Sequence, residues 1–127
     1  MRPRNLARRR EHDRAVVEAE EARVARLERV RAADPLGVDT AYKAMQTAAA
    51  ADPRGTFDWN TVRAALDAAG VVLGDGPGEL SQRTLSASYA GAVASRRAVS
   101  LGETTTRSLG TRGNSDKHVT LYRWIGA

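Results

Sequence analysis

A mainly helical body closed by a C-terminal β-hairpin is the fold class this sequence predicts, on three observations. Apolar residues recur at helical spacing in four stretches before Arg97, each bounded by Gly, Pro or a capping residue. After Arg97 the period becomes that of a strand, in AVSLGETTTR and again in VTLYRWI. A polar segment, SLGTRGNSDKH, joins those two strands and carries three basic residues.

The elements follow in order. MRPRNLARRR, residues 1–10, holds five Arg and no acid; such a run repels itself and is expected to be disordered in isolation. From Glu11 to Ala33 there is no Gly or Pro, and good helix formers dominate. Arg14–Glu18, Glu20–Arg23 and Glu28–Arg31 have the spacing of helical ion pairs. Val17, Val24, Leu27 and Val30 make a thin apolar stripe over three heptads at most, too short for a long coiled coil. Residues 11–33 therefore read as a solvated helix that docks weakly, or that pairs with a second copy or another protein. Residues 1–33 form a basic helical arm, which could track DNA phosphates or the minor groove or bind an acidic protein surface, and residues 34–127 form the folded domain.

Asp34-Pro35 stops the first helix, Gly37 completes the break, and Asp39 caps a helix over Thr40–Ala51. Asp58 caps the next, from Trp59 to Ala69, whose Trp59, Val62, Leu66 and Ala69 share a face. Gly70 is placed to end it in the left-handed conformation. Val71-Val72-Leu73 is too short to assign, and residues 74–78 are a loop by composition. Ser81 caps a helix over residues 82–96, with Leu85, Tyr89, Ala92 and Val93 inward and Arg83, Ala87, Ala90, Ala94 and Arg97 outward.

Composition narrows the function. Of 127 residues 42% are apolar, but 23 of these are Ala, so the larger side chains suffice for one small core. With no Cys there is neither a disulfide frame nor a thiolate zinc site, and His12 and His118 lie too far apart in sequence to suggest a metal site. No apolar run approaches the roughly 20 residues of a membrane span, and the Arg-rich start lacks the apolar segment of a secretory signal. Residues 70–78 contain no Lys, so there is no Walker loop; LSASYAG is not G-x-S-x-G; Asp58, Asp67 and Asp75 show no metal-ligand spacing. Neither an enzyme nor a cofactor is expected. Trp59, Tyr89 and Trp124 read as core.

The net charge is +5, and 18 of the 20 cations are Arg. Along the chain it resolves into +4 over residues 1–31, −4 over 32–80 and +5 over 81–127. Two basic ends flank an acidic middle, a segregation that creates local fields larger than the total implies.

From Asp39 the order is helix, helix, loop, helix, strand, basic loop, strand, which is that of a winged helix-turn-helix. FDWNTVR, LSQRTLSASYAGAVASRRAVSLG and GNSDKHVTLYRWIG resemble small winged-helix DNA-binding proteins of actinobacterial phages and their hosts, over roughly residues 39–126. The resemblance rests on Phe57, Arg96, Arg97, His118 and Trp124. One departure is Ala98, where the pattern favours Gly after the paired Arg, so a left-handed turn there would cost about 1 kcal/mol.

The expected function is duplex DNA binding, as a small regulator of transcription or recombination in the cytoplasm of a bacterial or phage-infected cell. Gln82, Arg83 and Ser86 would read base edges, with Ser81, Thr84, Arg96 and Arg97 on phosphates. Arg107, Arg112, Asn114, Lys117 and His118 would serve the wing. The competing expectation is a winged helix that binds protein instead, as a host-directed factor or a virion assembly component.

Overall fold

A proline near its start, a long stretch free of Gly and Pro, and a single-residue break at Asp34 define the first helix, α1 (Pro3–Ala33). The computed structural model describes residues 3–105 and 118–126. The helix takes in residues 3–10, where the sequence pointed to disorder. Pro3 suits a first turn, and Glu11 and Asp13 follow Arg8, Arg9 and Arg10 at three or four residues, which offsets the repulsion of the run. Residues 7–24 are exposed, while Ala25, Leu27, Val30 and Arg31 are half-buried against the fourth helix.

α2 (Pro35–Ala50) begins five residues earlier than expected. Its cap is Asp34, whose Oδ1 accepts the Gly37 amide at 3.0 Å, and Pro35 opens the helix where no amide donor is needed. Asp39 is instead in an i,i+4 ion pair with Lys43, at 3.0 Å. Ala41, Ala44, Met45, Ala48 and Ala49 are the buried face.

The next element was not anticipated. β1 (Thr56–Phe57) is two residues long and pairs antiparallel with β3 (His118–Trp124), which also pairs with β2 (Ala98–Thr105). The hairpin is therefore part of a three-stranded sheet of order β1-β3-β2, with an irregularity between Ser100 and Glu103. Phe57 is 1% exposed and stacks on Tyr122 at 5.4 Å between ring centroids. All six aromatic residues join in one network, in which Phe57 also meets Tyr89 and Trp124, Trp59 meets Tyr89, and Tyr42 meets Trp124.

α3 (Trp59–Ala68) has the expected cap: Asp58 accepts the Thr61 amide at 2.9 Å, and the Thr61 hydroxyl accepts the Asp58 amide in return. Its end is also as expected, with Gly70 at φ +76° and the Val71 amide reaching back to the Leu66 carbonyl. The connection to α4 (Gln82–Ala94) is pinned by a bridge between Leu73 and Leu80, with Leu80 3% exposed. Leu85, Tyr89 and Ala92 of α4 enter the core as predicted, whereas Val93 is 40% exposed. Among the described residues no helix is long and apolar enough to cross a membrane.

Asp34 holds more than one element. Its second oxygen, Oδ2, accepts the Thr84 hydroxyl at 2.9 Å, so one carboxylate caps α2 and grips the first turn of α4. Thr84 is 3% exposed. Asp34→Ala is expected to lose the cap and strand the Thr84 hydroxyl, a destabilisation of about 2 kcal/mol. In urea unfolding, a double-mutant cycle with Thr84→Val should give a coupling of about 0.5–2 kcal/mol; additive effects would show that the two groups do not act together.

Candidate nucleic-acid interface

α4 is the element on which the sequence placed the contacts, and its burial pattern divides them. Ser81 is the cap: its Oγ accepts the Thr84 amide at 3.0 Å and donates to Thr84 Oγ1 at 3.0 Å. Thr84 in turn donates to Asp34. Both residues were expected on phosphates, but the structure commits their hydroxyls to holding α4 against the α1–α2 junction. Gln82, Arg83 and Ser86 are exposed.

The alanine-rich outer face is not open in the way the sequence suggested. Ala87 is fully buried, and Gly91 is buried beside it. α1 lies over them: Arg31 Nη1 donates to the Ala87 carbonyl at 3.0 Å, in place of the expected pairing with Glu28. A Cβ at residue 91 would fall 2.6 Å from both Arg31 Cδ and the Tyr42 hydroxyl, so only glycine admits this approach. Arg29 and Val30 flank Ser81 and Arg83 at one end, and Arg23 and Val24 flank Val93 and Ala94 at the other, so α1 runs antiparallel to α4. Between α1, α4 and the sheet is a groove of about 530 Å³ whose walls include Val24, Leu27, Ala90, Val93 and Tyr122.

Arg96 and Arg97 are both exposed and differ in what holds them. The Arg97 guanidinium lies 4.8 Å from the centroid of the Tyr42 ring, and its Nη1 donates to Ser95 Oγ at 3.2 Å. Arg96 has φ +60° and is the one positive-φ residue other than Gly among the described residues. It closes α4 as Gly70 closes α3: the Arg97 amide reaches the Ala92 carbonyl and the Arg96 amide the Val93 carbonyl. The left-handed residue is thus Arg96 and not Ala98, which is 1% exposed in β2 opposite Trp124. Ala98 carries no turn cost.

The wing residues Arg107, Arg112, Asn114 and Lys117 lie outside the described residues. His118 opposes Thr105 in the β2–β3 ladder. Two basic residues that the sequence reading passed over, Arg26 and Arg29, stand with Arg83 around a cleft of about 500 Å³ at the start of α4. A signal was present: neither has an acid three or four residues away on either side. Arg23, by contrast, is paired with Glu20 at 2.7 Å.

Among the described residues no three His, Asp or Glu side chains converge as a metal ion would require. Tyr89 borders a recess of about 290 Å³ with Trp59, Ser86 and Tyr122. Burial first, then neighbouring Tyr122 and Asp58, push the Tyr89 hydroxyl far above the usual tyrosine range, so it stays neutral. No protein-family model, curated protein or solved structure matches this chain significantly.

Because Arg96 takes a conformation that suits glycine, Arg96→Gly should stabilise the fold by up to about 1 kcal/mol, after allowing for the greater freedom of glycine in the unfolded chain. Urea midpoints check this. A lower midpoint would mean that the Arg96 side chain repays its backbone strain through contacts within the folded protein.

Proposed function

We propose that residues 34–127 form a winged helix-turn-helix that binds duplex DNA, with α4 in the major groove and the segment between β2 and β3 as the wing. One observation carries the reading: the order α2-β1-α3-α4-β2-β3 combines with the strand order β1-β3-β2, leaving Gln82 and Ser86 outward on α4. That arrangement suits a helix whose first turns face base edges while a hairpin loop of basic residues tracks the backbone. The role is that of a small regulator of transcription or recombination. Gln82 and Ser86 read base edges, Arg96 and Arg97 flank the site on phosphates, and Arg107, Arg112, Asn114, Lys117 and His118 belong to the wing.

A second reading has its own observation. α1 covers Ala87 and Gly91 of α4 and borders a groove with apolar walls, which favours a protein-binding winged helix without DNA contact. A salt series on random duplex DNA separates the two. With about four to six phosphates neutralised, log K should fall against log salt with a slope of about −4 to −5. No binding at low salt would assign the protein to the second reading.

The division of labour is checked separately. Gln82→Ala should relax sequence preference in a pool of selected sites, whereas Arg112→Ala should weaken all duplexes alike and make the salt slope shallower by about 0.9. Identical behaviour of the two variants would contradict the assignment of helix and wing.

A further inference from the structure

We propose that α1 is part of the DNA-binding surface, with Arg26 and Arg29 joining Arg83 of α4 in a clamp on backbone phosphate. The inference rests on the DNA-binding reading above and extends it to named residues of α1. All three arginines are exposed and border one cleft of about 500 Å³. None of the three is in an ion pair among the described residues, where the pairs formed are Arg23–Glu20 and Lys43–Asp39. Asp34 is the carboxylate in the cleft, and each of its oxygens already accepts a hydrogen bond, from the Gly37 amide and the Thr84 hydroxyl. The Thr84 amide is likewise satisfied by Ser81, so the attraction for an anion comes from the guanidiniums and not from the helix end.

Against the three cations the cleft holds one carboxylate, Asp34, so positive charge remains in excess there and an added anion offsets it. The planar fork of arginine matches a phosphate better than it matches a lone chloride or a solvated gap. Duplex DNA is the phosphate source that fits, because Arg83 follows Gln82 on the same turn of α4, so a backbone phosphate flanking the bases being read would meet the cleft. Docking of α1 through Arg31 and Gly91 then has a consequence for recognition: it fixes where Arg26 and Arg29 stand relative to α4. Arg83, expected from the sequence to read a base, becomes the third member of the clamp.

The test measures binding of the full chain to a labelled random-sequence duplex, by fluorescence anisotropy across a salt series. Arg26→Gln/Arg29→Gln should make the log–log slope shallower by about 1.8 and weaken binding at 0.1 M salt by tens of fold, from a slope contribution of about 0.9 per phosphate contact. A charge-matched control in the acidic middle of the chain, Lys43→Gln/Arg54→Gln, should stay within about twofold of wild type by the same rule. A third variant, Ala22→Glu, keeps every arginine but sets a carboxylate four residues before Arg26, and should weaken binding several-fold. All substituted α1 positions are exposed, so the Arg26/Arg29 variant should melt no lower than wild type, and each variant is checked for folding in this way. If wild type binds steeply and the Arg26/Arg29 variant keeps its slope, or if the control loses as much, the clamp is wrong while the DNA reading stands. If wild type does not bind duplex at low salt, both fall together.

Discussion

One carboxylate sits where the chain must turn from its longest helix into its folded body, and it makes two hydrogen bonds at once. Asp34 is the single non-helical residue between α1 and α2. With Oδ1 on the Gly37 amide it starts α2, and with Oδ2 on the Thr84 hydroxyl it fixes the first turn of α4. A half-buried carboxylate needs such partners, since its desolvation would otherwise oppose folding. The directions of three helices therefore meet at one residue. α2 packs its alanines and Met45 into the core, α4 is held across them, and α1 runs along the outside of α4.

That route depends on small residues. Ala87 and Gly91 lie on the side of α4 that faces α1, with Gly91 also close to the Tyr42 hydroxyl, and larger side chains there would hold α1 off. Few apolar side chains of α1 help: Leu27 and Val30 are half-buried, while Val16, Val17 and Val24 remain between 42% and 54% exposed. The contact relies instead on close approach and on the Arg31 hydrogen bond to the Ala87 carbonyl. An attachment of this kind is geometrically specific but buries little apolar area, which makes it weaker than the core beneath it.

Much of this architecture was legible in the sequence wherever the signal is local. Asp58, Ser81 and Gly70 act within four residues of themselves, and each does what its spacing predicts. The failures share a different cause. β1 has two residues, too few for any period, and exists because β3, more than sixty residues later, offers an edge. Pro35 and Gly37 were taken as breakers because both disfavour helix interiors, yet neither is in an interior once Asp34 supplies the cap. An alanine face is silent about its neighbour, since Ala serves equally well in water and under a second helix. The position of the left-handed turn, at Arg96 and not Ala98, runs against residue preference, and no local rule would place it there. Of the candidate site, the outward Arg83 was readable from helical period, but its neighbours were not, because they come from a helix more than fifty residues away in sequence.

The charge pattern gains its meaning from the same packing. In sequence the two basic blocks are the ends of the chain, held apart by an acidic middle. In the folded protein α1 lies antiparallel on α4, so part of the first block is set against the start of the last. The acidic residues offset it only in part: Asp34 lies beside Arg26, Arg29 and Arg83 and counters one charge of three, while Asp39 is paired with Lys43. Like charges brought together in this way oppose docking, so the contact between α1 and α4 is formed against electrostatic repulsion. An arrangement that costs stability in the free protein and loses that cost on meeting an anion binds the anion more tightly than scattered arginines could. Where the two helices touch, the cationic excess of the chain is thus locally denser than its total of +5 implies.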